Sequence, residues 1–167
     1  MVAFDESKVS RTRSGRFMAP ANSVPEATLG TSVDAMSLAN TYHEQWREAR
    51  RRPDGSFEPR VKVTTDQTWI DERGQDTVDI ANTAFDALPA DWRAENEAAA
   101  LVVVEYLASQ AVDLEDPSSR SAAGQYVHKA WLSRNGWAHG GELDVHFDDL
   151  PLSEQEKDID QVRLALT

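Results

Sequence analysis

Cysteine is absent from the 167-residue chain. That excludes disulfide staples, thiolate metal sites and cysteine nucleophiles, and it suits a reducing compartment. Cations are scarce beside acids: 17 lysines and arginines face 29 aspartates and glutamates, a formal net charge of −12. Neutralising nucleic-acid phosphates takes a basic face, so no DNA or RNA polymer is expected as partner. The local exception, Lys8, Arg11, Arg13 and Arg16, reads as a solvated tail. No apolar run is long enough for a signal peptide or a membrane helix, so a cytoplasmic protein without membrane contact is expected. Also missing are a Gly-x-Ser-x-Gly elbow, a phosphate loop, a dinucleotide fingerprint and a His-Glu-x-x-His helix. No catalytic residue, metal or cofactor is assigned.

What is present reads as mainly helical, a compact bundle of about four main helices with a small extended or β insert. Residues 1–30 lack periodicity and read as a disordered or loosely docked tail, with Phe4, Phe17 and Met18 as anchor points. Ser32 is the expected N-cap of a helix whose stripe runs through Val33, Met36, Ala39, Tyr42, His43 and Trp46. Pro53 and Gly55 stop it. Residues 57–70 change period, Val61 and Val63 alternating with polar residues and Thr68, Trp69 and Ile70 following, as in a hairpin or an extended arm. Pro89 opens a helix to about Val112. Its centre, residues 98–104, has no polar residue and predicts a post covered on all sides.

Residues 113–121 form an acidic linker, with Ser118 or Ser119 as the cap of the next helix, which ends at Asn135 and Gly136 through a left-handed residue. Leu143, Val145 and Phe147 alternate with polar residues, predicting a short extended arm. Pro151 opens the last helix, with Ile159, Val162, Leu164 and Leu166 inward.

Two signatures occur twice in the same order. His43 and Trp46 match His128 and Trp131 as His-x-x-Trp. Residues 85–89 match 147–151 as Phe-Asp-x-Leu-Pro. Each His-x-x-Trp puts both rings on one helix face, and each unit is too small to bury its own apolar face. Two halves related by a pseudo-twofold are expected: residues 31–112 with an insert at 52–77, then 122–167 after the linker.

Residues 126–166 resemble the ryanodine-receptor (RyR) repeat domain, bacterial and phage type. The resemblance rests on His128, Trp131, Gly136, Trp137, His139, Gly140, His146, Leu150, Pro151, Glu156 and Lys157. His139 stands where an aromatic Tyr is usual, and Phe147 replaces a proline after His146. The first half keeps only the two signatures. The resemblance implies a non-catalytic module, often paired in tandem, used for domain contacts and for sensing nucleotide-like ligands.

Two readings of the aromatic residues stand. Trp131 and Trp137, with His128 and His139, make an aromatic cage for a purine-like ring, Arg134, Lys157 and Lys129 meet phosphates, and His43 with Trp46 is the counterpart in the first half. Alternatively the tryptophans are core and the histidines are satisfied hydrogen-bonders; Trp137, flanked by glycine, lies nearer the surface. The leading function is therefore a non-enzymatic module for a small nucleotide-like or other anionic ligand. The alternative is a protein-interaction adaptor, or a homo-oligomer, using the basic tail or the acidic strip of Glu142, Asp144, Asp148, Asp149, Glu154 and Glu156. Paired carboxylates do acid–base work only in a cleft that shifts their pKa values, and here they read as a solvated face.

Overall fold

A computed structural model describes residues 34–167 of the protein. The tail 1–30, its basic cluster, Ser32 and Val33 lie outside the described residues. Four helices of at least 14 residues carry the fold: α1 (Ala35–Glu48), α3 (Ala90–Ser109), α4 (Pro117–Arg134) and α5 (Leu152–Ala165). Between α1 and α3 lie strand β1 (Val61–Val63), the short helix α2 (Gln67–Arg73) and strand β2 (Thr77–Asp79). The architecture is mainly helical with one small antiparallel ladder, Val61 opposite Asp79 and Val63 opposite Thr77. No helix of the described residues is long and apolar enough to cross a membrane.

Aspartate, not serine, starts three of the helices. Asp34 caps α1 by accepting from the Ser37 N–H at 3.0 Å. Asp66 caps α2 through the Thr68 and Trp69 N–H groups. Asp116 caps α4 through the Ser119 N–H at 2.9 Å, with Pro117 at the first helical position. The expected caps Ser118 and Ser119 are thus one turn too late, because a carboxylate accepts from the orphan N–H groups and also complements the helix dipole. α2 takes Trp69 and Ile70 out of the expected extended arm and stops at Gly74, whose φ of 66° is left-handed. The strand partner of Val61 and Val63 comes instead from Thr77–Asp79.

Other expectations are corrected by packing. Met36 is 49% exposed and Leu38 takes the inward place in α1. The apolar centre of α3 is wet along one side: Ala100 and Val103 are sealed, but Leu101 is 48% exposed. α1, α4 and α5 cover α3 on their own sides only. Asn135 and Gly136 have no left-handed residue; the chain continues into a 3₁₀ turn, Gly136–Ala138. Residues 143–146 form no strand, having no neighbour to pair with, and Phe147–Asp149 is a second 3₁₀ turn. Pro89 and Pro151 stand one residue before α3 and α5 rather than inside them. In α5, Ile159, Val162 and Ala165 are buried, while Leu166 is exposed.

The core gathers Leu38 and Ala39 of α1, Val103 and Tyr106 of α3, Ala123 and Val127 of α4 and Val162 of α5, with Phe85 and Leu88 before α3. A smaller cluster joins Phe147, Leu150 and Ile159.

Candidate functional site

α1 and α4 each present a histidine and a tryptophan at three-residue spacing, which makes them neighbours on one face. His43 stacks on Trp46 with ring centroids 5.9 Å apart. His128 stacks on Trp131 at 6.0 Å. Both imidazoles are buried. The His43 Nε2 donates to the Thr83 carbonyl at 2.9 Å, and the His128 Nε2 donates to the Leu143 carbonyl at the same distance. A carbonyl only accepts, so Nε2 carries the proton in both rings. The two Phe-Asp-x-Leu-Pro segments also share a conformation. Each is a 3₁₀ turn with a sealed phenylalanine, followed by Leu88 or Leu150 in nearly the same extended geometry, ψ 151° and 153°.

A cleft of about 670 Å³ opens among α1, α3, α4 and α5. Trp46 and Trp131 both line it, so the two His-x-x-Trp tryptophans are half-buried walls rather than sealed core. Trp92 of α3 adds a third ring. Arg50, Arg134 and Lys157 supply positive charge at the rim, against Glu95 and Asp160. The Arg50 guanidinium lies over the Trp46 ring, 4.1 Å from its centroid, and donates to the Trp46 carbonyl. Arg134 reaches Glu95 at 3.3 Å. Tyr42 ties α1 to α5, its hydroxyl donating to the Gln161 carbonyl at 2.8 Å, and burial pushes its pKa up.

A second cavity of about 260 Å³ lies beside the first and shares Trp131, Lys157 and Gln161 with it. His128 and Asp158 line it. Asp158 is buried, and its carboxylate stands 3.3 Å from the His128 Nδ1. Burial pushes the Asp158 carboxyl up to about 6, against the opposing pull of His128. In the first half, Asn96 occupies the place seven residues after Pro89 that Asp158 occupies after Pro151. The Asn96 Nδ2 donates to the Trp92 carbonyl at 2.7 Å. Burial holds the His43 imidazole below the usual histidine range, opposed by the Thr83 hydrogen bond and the Glu44 charge.

Of the residues singled out in the sequence, His43, Trp46, Trp131, Arg134 and Lys157 line the main cleft and His128 lines the second cavity. Trp137 and His139 line neither. Trp137 is 77% exposed, meets Trp131 edge-on at 5.7 Å and donates its indole N–H to Asn135. His139 stands 3.7 Å from Asp144 on the outer surface. The residues that sequence reasoning missed are Tyr42, Arg50, Trp92 and Asn96. One signal could have found the last two: they stand at fixed distances after the first Leu-Pro, three and seven residues on. Asp148 and Asp149 are exposed on the turn before α5, outside both cavities.

No family model matches the chain, and neither a curated protein nor a solved structure matches it significantly.

Proposed function

We propose that the protein is a non-enzymatic binding module, a divergent tandem pair of RyR-type repeats whose inter-repeat cleft takes a small anionic ligand with a planar ring, of nucleotide type. The halves are α1 with α3, and α4 with α5, related by a pseudo-twofold. In support, both halves repeat the His–Trp stack, the histidine-to-carbonyl hydrogen bond and the buried-phenylalanine turn. The observation that carries the reading is convergence. Two tryptophans from equivalent places in distant segments face one cleft, rimmed by Arg50, Arg134 and Lys157.

The ring of the ligand takes the place of the Arg50 guanidinium on Trp46. A cation over an exposed ring contributes about 0.5–1 kcal/mol, and a stacked base about 1–3 kcal/mol. The exchange favours the ligand, and the released guanidinium meets its phosphate as a fork-shaped donor. Lys157 and Arg134 contribute from the facing side of the cleft.

The test is a thermal-shift panel of nucleoside mono- and diphosphates on the full chain. A ligand at about a hundredfold its Kd adds about 2.7 kcal/mol, a rise in Tm on the order of 5–10 °C for a domain of this size. Trp46→Ala and Trp131→Ala are expected to erase the rise, and Trp137→Ala to keep it. Silence across the whole panel, or a rise indifferent to Trp46, sinks the reading.

A further inference from the structure

We infer that the His43 Nδ1 and the Asn96 Oδ1 form a hydrogen-bond-accepting edge in the main cleft, and that this edge selects ring ligands presenting an exocyclic NH2 group, whose two N–H bonds meet two acceptors. The inference rests on the cleft being a ligand site. Its warrant is the count of protons. Because the His43 Nε2 donates to Thr83, a neutral imidazole leaves Nδ1 with a bare lone pair. Burial keeps that ring neutral near pH 7. Among the described residues the Nδ1 has no partner, yet none of their buried side-chain nitrogens or oxygens is left unpartnered. The atom therefore opens to the cleft that His43 lines.

Asn96 is oriented by the same logic. The Trp92 carbonyl accepts, so the amide nitrogen must point at it, and the amide oxygen is the atom left over. Two acceptors then line one cleft. A ligand amine satisfies them. A ligand carbonyl sets lone pair against lone pair and leaves desolvated groups without partners.

The second half shows what an occupied edge looks like. There the corresponding pair is His128 and Asp158, whose carboxyl stands 3.3 Å from the Nδ1 so that one proton between them satisfies both, and the cavity is smaller. Asn in one half and Asp in the other leave the first edge open and close the second.

The experiment measures dissociation constants of the full chain for two matched pairs: adenosine and inosine monophosphate, and cytidine and uridine monophosphate. Within each pair ring size and charge agree, while an amino group with two N–H bonds beside a bare ring nitrogen is replaced by a carbonyl beside a single ring N–H. The amino member is expected to bind about tenfold tighter in each. Asn96→Ala should pull both ratios towards one while binding persists. Asn96→Asp, which copies the second half, should weaken all four ligands by about tenfold or more, because the new carboxylate repels the anion and draws a proton onto the His43 Nδ1, which then no longer accepts. Equal affinities within the pairs, a reversed order, or discrimination that survives Asn96→Ala overturns this inference and leaves the cleft reading standing. Failure of all four to bind overturns both.

Discussion

In the first half a buried histidine and a neutral amide, His43 and Asn96, line the same open cleft. In the second half the same histidine, held by the same kind of backbone carbonyl, faces an aspartate and a cavity less than half the size. The His–Trp stack, the histidine-to-carbonyl bond and the phenylalanine turn recur, and one difference lies in the residue seven places beyond the Leu-Pro turn. A buried carboxylate is costly without a partner and is tolerated when one stands within hydrogen-bonding reach. Asp158 is therefore engaged with His128 in the smaller cavity, while Asn96 lines the larger one.

The sharpest way to break this comparison is at the helix face behind the histidines. Ala39 stands four residues before His43, and Gly124 four before His128. Both are fully packed in. A Cβ built on Gly124 would come within 2.3 Å of the Phe147 ring, so the second half has closed onto its glycine. Gly124→Ala is expected to cost about 3 kcal/mol, overpacking outweighing the roughly 1 kcal/mol of helix propensity it gains. The reverse change, Ala39→Gly, should cost only about 1 kcal/mol. Urea midpoints decide it. Equal costs at the two positions mean that the halves are packed alike and that the closer approach in α4 is unreal.

Much of this frame is readable in the chain. His-x-x-Trp puts both rings on one face because residues three apart on a helix are neighbours, and Leu-Pro marks the entry to each second helix because proline restricts the leucine before it. Trp92 and Asn96 are marked only by their distances, three and seven residues, after the first Leu-Pro. They are ordinary helix residues until tertiary packing turns them to one cleft. Trp137 lies at the surface, as its glycine-flanked turn leads one to expect, but it lines neither cavity. The alternation of Leu143, Val145 and Phe147 misleads, because a strand needs a partner and none lies alongside. Asp116 caps α4 in place of the nearby Ser118 and Ser119, a choice between adjacent candidates that local pattern does not decide.

The contrast between Asn96 and Asp158 is sharpened by pH. Asp158 titrates at about 6 in the folded chain against an ordinary 3.8. Between these values the folded state holds a proton that the unfolded state has released, so the contribution of this group to stability falls as pH rises from about 4 to about 6 and is level above that. Asp158→Asn removes the titration. Relative to the variant, the wild-type chain should lose on the order of 2 kcal/mol across that interval, read from denaturant midpoints at each pH. A gap that stays constant with pH removes Asp158 as the group that separates the halves.

The smallest effect concerns how each second helix begins. Neither Pro89 nor Pro151 offers a side-chain cap. The first half compensates through its insert, in both directions. Asp66 accepts from the Ala90 N–H at 2.7 Å, and Asp91 accepts from the Thr64 hydroxyl and the Thr65 N–H, each at 2.7 Å. These bonds fasten the β1–α2 corner to the start of α3. The second half has no insert, and Ser153, two residues after Pro151 as Asp91 is after Pro89, is exposed. Asp91→Ala should therefore cost about 1 kcal/mol and speed hydrogen exchange in Val61–Val63, while Ser153→Ala should stay within about 0.5 kcal/mol of the wild type. If the two substitutions cost the same, the insert rests on α3 without being held by it, and the first cleft keeps its shape by helix packing alone.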